Sequence, residues 1–276
     1  MAATQAEKAE RFAALHDGGV LVLPNAWDAG SAAVIAAAGA PAIATTSGGV
    51  SWSTGRPDGQ AMTREQMVEE VGRIVAAVEL PVSADVEGGY GPAPEDVAAT
   101  VEAVVGVGAV GVNIEDSGAP GGGLFGIEEQ AARFKAASEA AARAGLPNLT
   151  INARTDVYLF EIGAEEDRLA EVIGRAEAYA EAGATSLFVP GLLDLEVLGE
   201  IVRSVGLPVN AMVGRGAPRV ADLAKVGVRR VSLGTAVAQA AYATARRVTA
   251  EVLEDGTFSS LEDSFDFGEI NSLFHR

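Results

Sequence analysis

Residues 107–116 read Val-Gly-Ala-Val-Gly-Val-Asn-Ile-Glu-Asp and hold the pattern that decides the fold. A helix-like stretch ends at Gly108, and an apolar run, Val110–Ile114, follows and stops abruptly at two carboxylates. The glycine is typical of a helix C-cap, where the chain turns left-handed. The apolar run indicates a buried strand. Because carboxylates are costly inside a core, Glu115 and Asp116 are expected where this strand leaves the sheet.

The same order of helix, glycine and apolar run recurs along the chain. Eight strands are predicted at Val20–Leu23, Ala42–Thr45, Pro81–Ala84, Val110–Ile114, Leu149–Asn152, Thr185–Val189, Val209–Met212 and Val228–Leu233. The helical patterns that alternate with them span Ala29–Ala38, Arg64–Val78, Pro94–Val105, Ile127–Arg143, Glu165–Glu181, Leu195–Ser204, Pro218–Lys225 and Thr235–Leu253. Asp28, Thr63 and Asp194 are predicted N-caps, and Gln66 completes a capping box with Thr63. Eight alternations with continuously apolar strands favour a closed parallel sheet, a (β/α)8 barrel, over the alternative of an open doubly wound sheet.

Length and composition fit a single domain spanning residues 1–276. Of the 276 residues 49% are apolar, and no linker divides them; a (β/α)8 barrel typically needs about 250 residues. Residues 254–276 form a tail outside the pattern, which carries Phe258, Phe265, Phe267 and Phe274 among acidic side chains. These rings need burial on the barrel or on a neighbouring subunit. The long apolar last helix, Thr235–Leu253, favours the subunit.

The charge and the cysteine count exclude several kinds of function. The formal net charge is −18, which disfavours a nucleic-acid partner and an anionic membrane surface. The absence of cysteine excludes disulfides, thiolate metal sites and a cysteine nucleophile. Residues 1–12 lack the apolar core of a signal peptide, and no apolar run approaches the about 18 residues of a membrane span. We therefore expect a cytoplasmic protein.

Carboxylates follow two of the predicted strands. Asp85 and Glu87 come after the third strand and lie two residues apart, so on an extended chain their side chains share one side. Glu115 follows the fourth strand, and active sites of barrels are built at the carboxyl ends of strands. Three carboxylates in one pocket repel each other unless a cation neutralises them, and oxygen ligands suit Mg²⁺ or Mn²⁺. Asp85, Glu87 and Glu115 are therefore predicted metal ligands, whereas Asp116 is equally consistent with a capping role.

Groups that bind anions follow other strands at the same face. Thr46, Ser47 and Gly48 combine two hydroxyls with flexible backbone and predict a cradle for a carboxylate or phosphonate, with an ordinary βα turn as the alternative. Arg154 can bind such a group through two N–H donors, unless it forms a structural pair with Asp156. Trp27 and Asn210, at the ends of the first and seventh strands, complete the predicted substrate contacts.

Two glycine-rich features bear on ligand binding. The loop Ser117–Gly126 holds five glycines directly after the acidic strand end and predicts a mobile gate over the ligand. Gly214–Gly216 and Gly234-Thr235 follow the last two strands, where many barrels bind a sugar phosphate. A phosphate site there remains an open alternative.

Three segments carry a family resemblance: residues 85–91 (Asp-Val-Glu-Gly-Gly-Tyr-Gly), 114–116 (Ile-Glu-Asp) and 153–156 (Ala-Arg-Thr-Asp). With them the chain resembles the isocitrate lyase/phosphoenolpyruvate mutase superfamily, in its smaller methylisocitrate-lyase-like and mutase-like branch. The resemblance implies an α/β barrel whose last helix is exchanged between subunits of a homodimer or of a homotetramer built from dimers. It also implies Mg²⁺ near Asp85, Glu87 and Glu115, partly through water.

The resemblance further implies the kind of substrate and reaction. A 2-oxo acid such as pyruvate, oxaloacetate or 2-oxoglutarate would chelate the metal while Thr46, Ser47 and Gly48 hold its carboxylate. Arg154 would stabilise the same anion. The expected chemistry is cleavage or formation of a C–C or C–P bond beside the 2-oxo acid, through an enolate held by the metal.

The glycine-rich loop departs from both branches of the superfamily. The lyases carry a catalytic cysteine there, and the mutases carry a lysine and an Asn-Ser pair, all of which this loop lacks. The sequence therefore favours a 2-oxo-acid lyase or decarboxylase, with Ser117, Tyr90 or a metal-bound water as proton donor. The alternatives are a C–P bond enzyme, either a phosphonopyruvate hydrolase or a mutase, and a non-catalytic metabolite-binding barrel.

Overall fold

The strands of the chain join into one parallel sheet whose two ends meet. A computed structural model describes residues 3–118 and 123–274. Within them the strands are β1 Leu21–Leu23, β2 Asn25–Ala26, β3 Ile43–Thr45, β4 Val82–Asp85, β5 Gly111–Glu115, β6 Thr150–Arg154, β7 Ser186–Phe188, β8 Val209–Met212 and β9 Arg230–Ser232. Their order in the sheet is β1-β9-β8-β7-β6-β5-β4-β3-β2.

The closing strand of the sheet is divided in two. β1 pairs with β9, and β2 pairs with β3, so one passage of chain contacts both neighbours. Pro24 separates the two halves; it has no N–H to donate, while its carbonyl accepts from Ala44 N at 3.0 Å. β1 and β2 therefore occupy a single barrel position. The predicted (β/α)8 barrel is confirmed, and the open doubly wound alternative is excluded because the sheet edges are joined.

The helices alternate with the strands as predicted, and three more are present. Their bounds are α1 Gln5–Ala14, α2 Ala29–Ala37, α3 Ser47–Ser53, α4 Arg64–Ala77, α5 Pro94–Gly106, α6 Ile127–Arg143, α7 Arg168–Glu181, α8 Leu195–Ser204, α9 Val220–Lys225, α10 Ala236–Glu254 and α11 Phe267–Ser272. The predicted N-caps are confirmed: the side chains of Asp28, Thr63 and Asp194 each accept a backbone N–H of the first turn. Gly108 has φ +97°, as its predicted C-cap role requires. The helices not predicted are α1, α3 and α11.

Helix α1 covers the end of the barrel where the strands begin. Phe12 is fully buried, and its ring lies 5.9 Å from the guanidinium carbon of Arg230, the first residue of β9. Gly111 opens β5 at the same level, and a Cβ there would lie 2.8 Å from Phe12 Cε1. The amino ends of the strands are thus closed, and the opposite end is left for a ligand.

Helix α10 lies mostly outside the packed layers. Of its 19 residues, all of them described, Ala238 is the one that is buried. Tyr242 is 42% exposed and contacts the ring of Trp52 edge-on at 6.4 Å. Beyond α10, Leu273 lines one groove together with Ala33 and Leu80. The four tail phenylalanines are at least half exposed.

Membrane insertion by a helix finds no support in the part of the chain that the structure describes. None of the helices in residues 3–118 and 123–274 combines the length and apolarity that crossing a bilayer requires.

Candidate active site

The carboxyl ends of β4, β5 and β6 bring charged side chains together. Asp85, Glu115 and Arg154 are the last residues of these three strands, and Glu115 stands opposite Arg154 in the register of the sheet. Glu87 follows two residues after Asp85, and its backbone carbonyl accepts from Glu115 N at 3.0 Å. Neighbouring parallel strands therefore place the predicted ligands at one edge, as the sequence led us to expect.

The backbone around Glu87 is held in an uncommon conformation. Glu87 and Tyr90 have φ of +50° and +60°, in the left-handed region that residues with a side chain rarely adopt. The Tyr90 hydroxyl donates to Glu87 Oε1 at 2.9 Å, and the amide of Gln60, itself at φ +58°, donates to Glu87 Oε2. Such strain persists where surrounding contacts enforce it, often at functional sites. Here the hydrogen bonds from Tyr90 and Gln60 fix the direction of the Glu87 carboxylate.

Asp85 is held by the segment that the sequence assigned to substrate. Ser47 begins α3, and its backbone N–H donates to Asp85 Oδ2 at 3.1 Å. The amide of Asp85 donates to Thr45 Oγ1 at 2.8 Å. Thr46 is 3% exposed and caps α3, while a Cβ at Gly48 would lie 2.9 Å from Thr235 Cγ2. Ser47 and Gly48 thus belong to a short helix whose first amide contacts Asp85.

Arg154 is clamped between two carboxylates. Its Nε lies 2.6 Å from Asp156 Oδ1, and its Nη1 lies 2.7 Å from Glu115 Oε2. The Phe188 ring centroid is 5.9 Å from its guanidinium carbon. The structural pair with Asp156 that the sequence left open is therefore formed, and Arg154 nevertheless lines the cavity described below.

Asp156 links this arginine to a second, fully buried network. The Ser117 hydroxyl donates to Asp156 Oδ2, and the Asp156 amide donates to Asp116 Oδ1 at 3.0 Å. Asp116 Oδ2 in turn accepts from Arg175 Nη1 at 3.1 Å and from the Tyr179 hydroxyl at 2.9 Å. Since Asp116 is fully buried and satisfied by these donors, its role is to join strand ends to α7 rather than to bind a ligand.

Asp58 is a site residue that the sequence did not indicate. It lies between α3 and α4, lines the cavity, and its Oδ2 is 3.1 Å from the position a Cβ would take at Gly48. Burial, followed by the charge of Asp85, raises the pKa of the Asp58 carboxyl. Its local sequence, Pro57-Asp58-Gly59, reads as a surface turn. Asp58 belongs to the site because of its position in the folded chain, and the residues next to it in the sequence do not indicate this.

A cavity of about 510 Å³ opens above these groups. Its polar lining residues are Ser47, Asp58, Gln60, Glu87, Glu115, Ser117 and Arg154. The remaining lining residues are Gly59, Gly118, Gly123, Phe160 and Ile162. The two ends of the glycine-rich loop meet there, because Gly118 N donates to Gly123 O at 3.2 Å. Residues 119–122, on which the predicted gate also depends, lie outside the described residues.

Several predicted contacts lie away from this cavity. Asn210 is fully buried, and its Nδ2 is 3.3 Å from Ser232 Oγ inside the barrel. Trp27 packs against α3, where its Cβ would be 2.8 Å from a Cβ at Gly49. Asp85 and Tyr90 line a small void behind Glu87 rather than the main cavity. Thr46 and Gly48 do not line the cavity either, within the part of the chain that the structure describes.

The acidic groups fit a hydrated divalent cation. Burial and then the charges of Asp85 and Asp58 raise the pKa of Glu87 to about 7. Burial also raises the pKa of Glu115, and nearby carboxylates add to this rise against the opposing charge of Arg154. This crowding of carboxylates is what a bound cation relieves. Among residues 3–118 and 123–274 no group of three or more acids or imidazoles is arranged to hold a metal ion directly.

The raised carboxyl pKa values predict how pH changes stability without metal. Unfolded glutamates release their protons near their ordinary pKa of 4.5, whereas folded Glu87 retains its proton up to about pH 7. Because the folded state then binds more protons than the unfolded state, the free energy of unfolding falls as pH rises through this window. We expect the melting temperature to decrease from about pH 5 to about pH 8, and saturating Mg²⁺ to reduce that decrease.

A glutamine variant isolates the contribution of Glu87 to this pH dependence. Glu87→Gln removes the titrating group, so its melting temperature should vary less over the same pH range. Scanning calorimetry with and without Mg²⁺ measures both effects. Equal slopes for the two proteins would contradict the assignment.

A parallel barrel with acids and an arginine at the carboxyl ends of its strands is the architecture of a barrel enzyme. The family model described as phosphoenolpyruvate phosphomutase matches residues 12–253. The uncharacterized protein Rv1998c of Mycobacterium tuberculosis (strain ATCC 25618 / H37Rv) is 37% identical over 258 residues, 93% of each chain. An oxaloacetate decarboxylase of Pseudomonas aeruginosa (strain LESB58) is 34% identical over 226 residues, 77% of this chain and 75% of that one.

The structural comparison agrees with the sequence relatives. A crystal structure of a protein from Burkholderia cenocepacia J2315 has a TM-score of 0.91 and 39% sequence identity, and the match covers 98% of this chain and 97% of that chain. The chain belongs to the phosphoenolpyruvate phosphomutase family, within the isocitrate lyase/phosphoenolpyruvate mutase superfamily. The superfamily resemblance seen in the sequence is thereby confirmed. Its members include lyases and phosphomutases.

Proposed function

We propose that the protein is a Mg²⁺-dependent carbon–carbon lyase or decarboxylase acting on a 2-oxo or 2-hydroxy carboxylate. The observation that carries this proposal is the position of Arg154, which faces the cavity beside Glu87 and Glu115. A single fixed cation next to a cluster of acids suits one carboxylate or enolate oxygen of a ligand that also contacts a metal. The relative named as an oxaloacetate decarboxylase supports the carbon–carbon class.

Each site residue has a distinct part in this proposal. Asp85, Glu87 and Glu115 would hold the metal, partly through its waters; the metal would supply Lewis-acid neutralisation of the charge that develops on the substrate. Arg154 would bind the substrate anion, and its two carboxylate partners keep the guanidinium in place. Tyr90 positions Glu87 through its hydroxyl.

Ser117 is the better proton donor of the two hydroxyl candidates. Ser117 lines the cavity, and its hydroxyl donates to Asp156, so the hydroxyl would have to turn from Asp156 toward a ligand in the cavity to deliver its proton. Tyr90 faces away from the cavity, and burial followed by the charge of Glu87 raises the pKa of its phenol. We therefore assign proton delivery to Ser117 or to a water beside it.

A turnover panel tests the proposed reaction. The purified protein with Mg²⁺ is incubated with 2-oxo and 2-hydroxy acids, and products are followed by ¹H and ¹³C NMR. Metal-dependent loss of a C–C bond supports the proposal. Because the matching family model is that of a phosphomutase, phosphonopyruvate is included and followed by ³¹P NMR. Phosphate release or phosphoryl migration would favour the C–P alternative, and tight binding without turnover would favour a metabolite-binding barrel.

We also propose that α10 and the tail form a subunit interface by helix exchange. Leu253, Phe258 and Phe267 are 79%, 63% and 84% exposed, which is unusual for large apolar side chains on a monomer. Removal of residues 254–276 should lower the mass measured by light scattering, because these rings would no longer contact a neighbour. The exposed apolar Val220, on α9, provides a control as Val220→Ser. An unchanged mass after the deletion would refute the proposed role of the tail.

A further inference from the structure

The cavity has a charged floor and an uncharged outer wall. Among its described lining residues, Arg154 is the one cation, and its nitrogens already contact Asp156 and Glu115. Residues 119–122, which lie outside the described part of the chain, are Ala-Pro-Gly-Gly and have no charged side chain. The described lining therefore offers one arginine for an anionic group of the ligand and no second cationic side chain for another.

The outer wall presents two apolar side chains to the cavity. Phe160 and Ile162 are 56% and 37% exposed, and both line it. Their positions are fixed by the turn after β6, since Phe160 N donates to Asp156 O at 3.0 Å and Ile162 N donates to Val157 O at 2.9 Å. Large apolar groups exposed at the mouth of a ligand cavity mark the part of the ligand that they can cover.

We propose that the substrate carries a single carboxylate and that its distal substituent is an alkyl or aryl group packed against Phe160 and Ile162. This rests on the proposed function, which places the carboxylate end of the ligand at Arg154, and it favours the lyase over the decarboxylase, because loss of CO₂ that leaves an enolate would require a second carboxylate. A second carboxylate at the far end of the ligand would be desolvated by the two apolar side chains and would gain no ion pair in return.

Two 2-oxo acids of similar size test the proposal by isothermal calorimetry in Mg²⁺. The apolar ligand is 4-methyl-2-oxopentanoate, the charged one is 2-oxoglutarate, and pyruvate represents the common head. We expect 4-methyl-2-oxopentanoate to bind about tenfold tighter than 2-oxoglutarate, with pyruvate between them.

Substitutions at Phe160 test whether this side chain causes the preference for 4-methyl-2-oxopentanoate. Phe160→Ala should weaken 4-methyl-2-oxopentanoate by about tenfold and leave pyruvate unchanged, while Phe160→Leu should retain the preference. Val220→Ala is the control, because Val220 is an exposed apolar residue, 37% exposed like Ile162, but does not line the cavity. Phe160 is half exposed, so its replacement leaves the core intact.

The outcomes separate the two proposals. Equal or tighter binding of 2-oxoglutarate, or an unchanged affinity in Phe160→Ala, would overturn the apolar wall while pyruvate binding still supports the proposed function. Failure of all three acids to bind in the presence of Mg²⁺ would overturn the proposed function and the inference with it.

Discussion

Replacing Asp85 by alanine is expected to weaken Mg²⁺-dependent binding of oxalate, a planar analogue of an enolate, by roughly 100-fold or more, since loss of even an outer-sphere partner of a metal costs 10- to 100-fold. Asp85 ends β4, and its carboxylate is fixed by the amide of Ser47 at 3.1 Å. Glu87 cannot rotate to take the place of the Asp85 carboxylate, because Tyr90 and Gln60 hold it by hydrogen bonds. Isothermal calorimetry at a fixed Mg²⁺ concentration measures the loss.

A stability measurement separates loss of the metal from loss of the fold in Asp85→Ala. The charge of Asp85 is one of the causes that raise the pKa of Glu87, so its removal relieves repulsion in the metal-free protein. We therefore expect a melting temperature without Mg²⁺ that is at least that of the wild type. Asp222→Ala, at a surface acid paired with Arg219 and Lys225, is the control. Undiminished oxalate binding in Asp85→Ala would reject the metal site.

The largest effect on stability is expected from Arg175→Met. Asp116 is fully buried, and Arg175 lies 3.1 Å from its Oδ2. Methionine fills similar space but leaves a buried carboxylate without its cation, which typically costs about 3–5 kcal/mol of unfolding free energy. Urea unfolding followed by circular dichroism measures this loss. The deficit should shrink at low pH, because a protonated Asp116 needs no cation.

A surface arginine provides the matched comparison. Arg73 pairs with Glu69 and Glu70 on the exposed face of α4, and Arg73→Met should cost less than about 1 kcal/mol. Comparable losses in the two variants would show that burial of the Asp116 pair has no special energetic weight.

Much of the barrel could be predicted because its signals are local. Asp28 and Thr63 mark helix starts through their own side chains, and Gly108 marks a helix end through its positive φ. Asp85 and Glu115 could be assigned to the site because a buried strand directly precedes each of them. In these cases the residue and the cause of its conformation lie within a few positions of each other.

The features that could not be predicted depend on contacts between residues that lie far apart in the sequence. Helix α1 is stabilised by inserting Phe12 beneath the sheet near Gly111, a contact across about a hundred residues. Asp58 reaches the site from what reads as a surface turn, and α3 replaces an expected loop because its first amide binds Asp85. The choice between ligand and structural acid at Asp116 likewise required the positions of Arg175 and Tyr179.

The double attachment of Asp156 has a consequence for how this protein can change. Its carboxylate holds Arg154, while its amide is bonded to Asp116, which is anchored on α7. A chimera that takes β6 from a relative but keeps α7 would separate groups that depend on each other. We therefore expect substitutions at positions 116, 156 and 175 to depend on one another. Changes to the side chains of Phe160 and Ile162 should be more independent, because Phe160 is joined to Asp156 through its backbone amide.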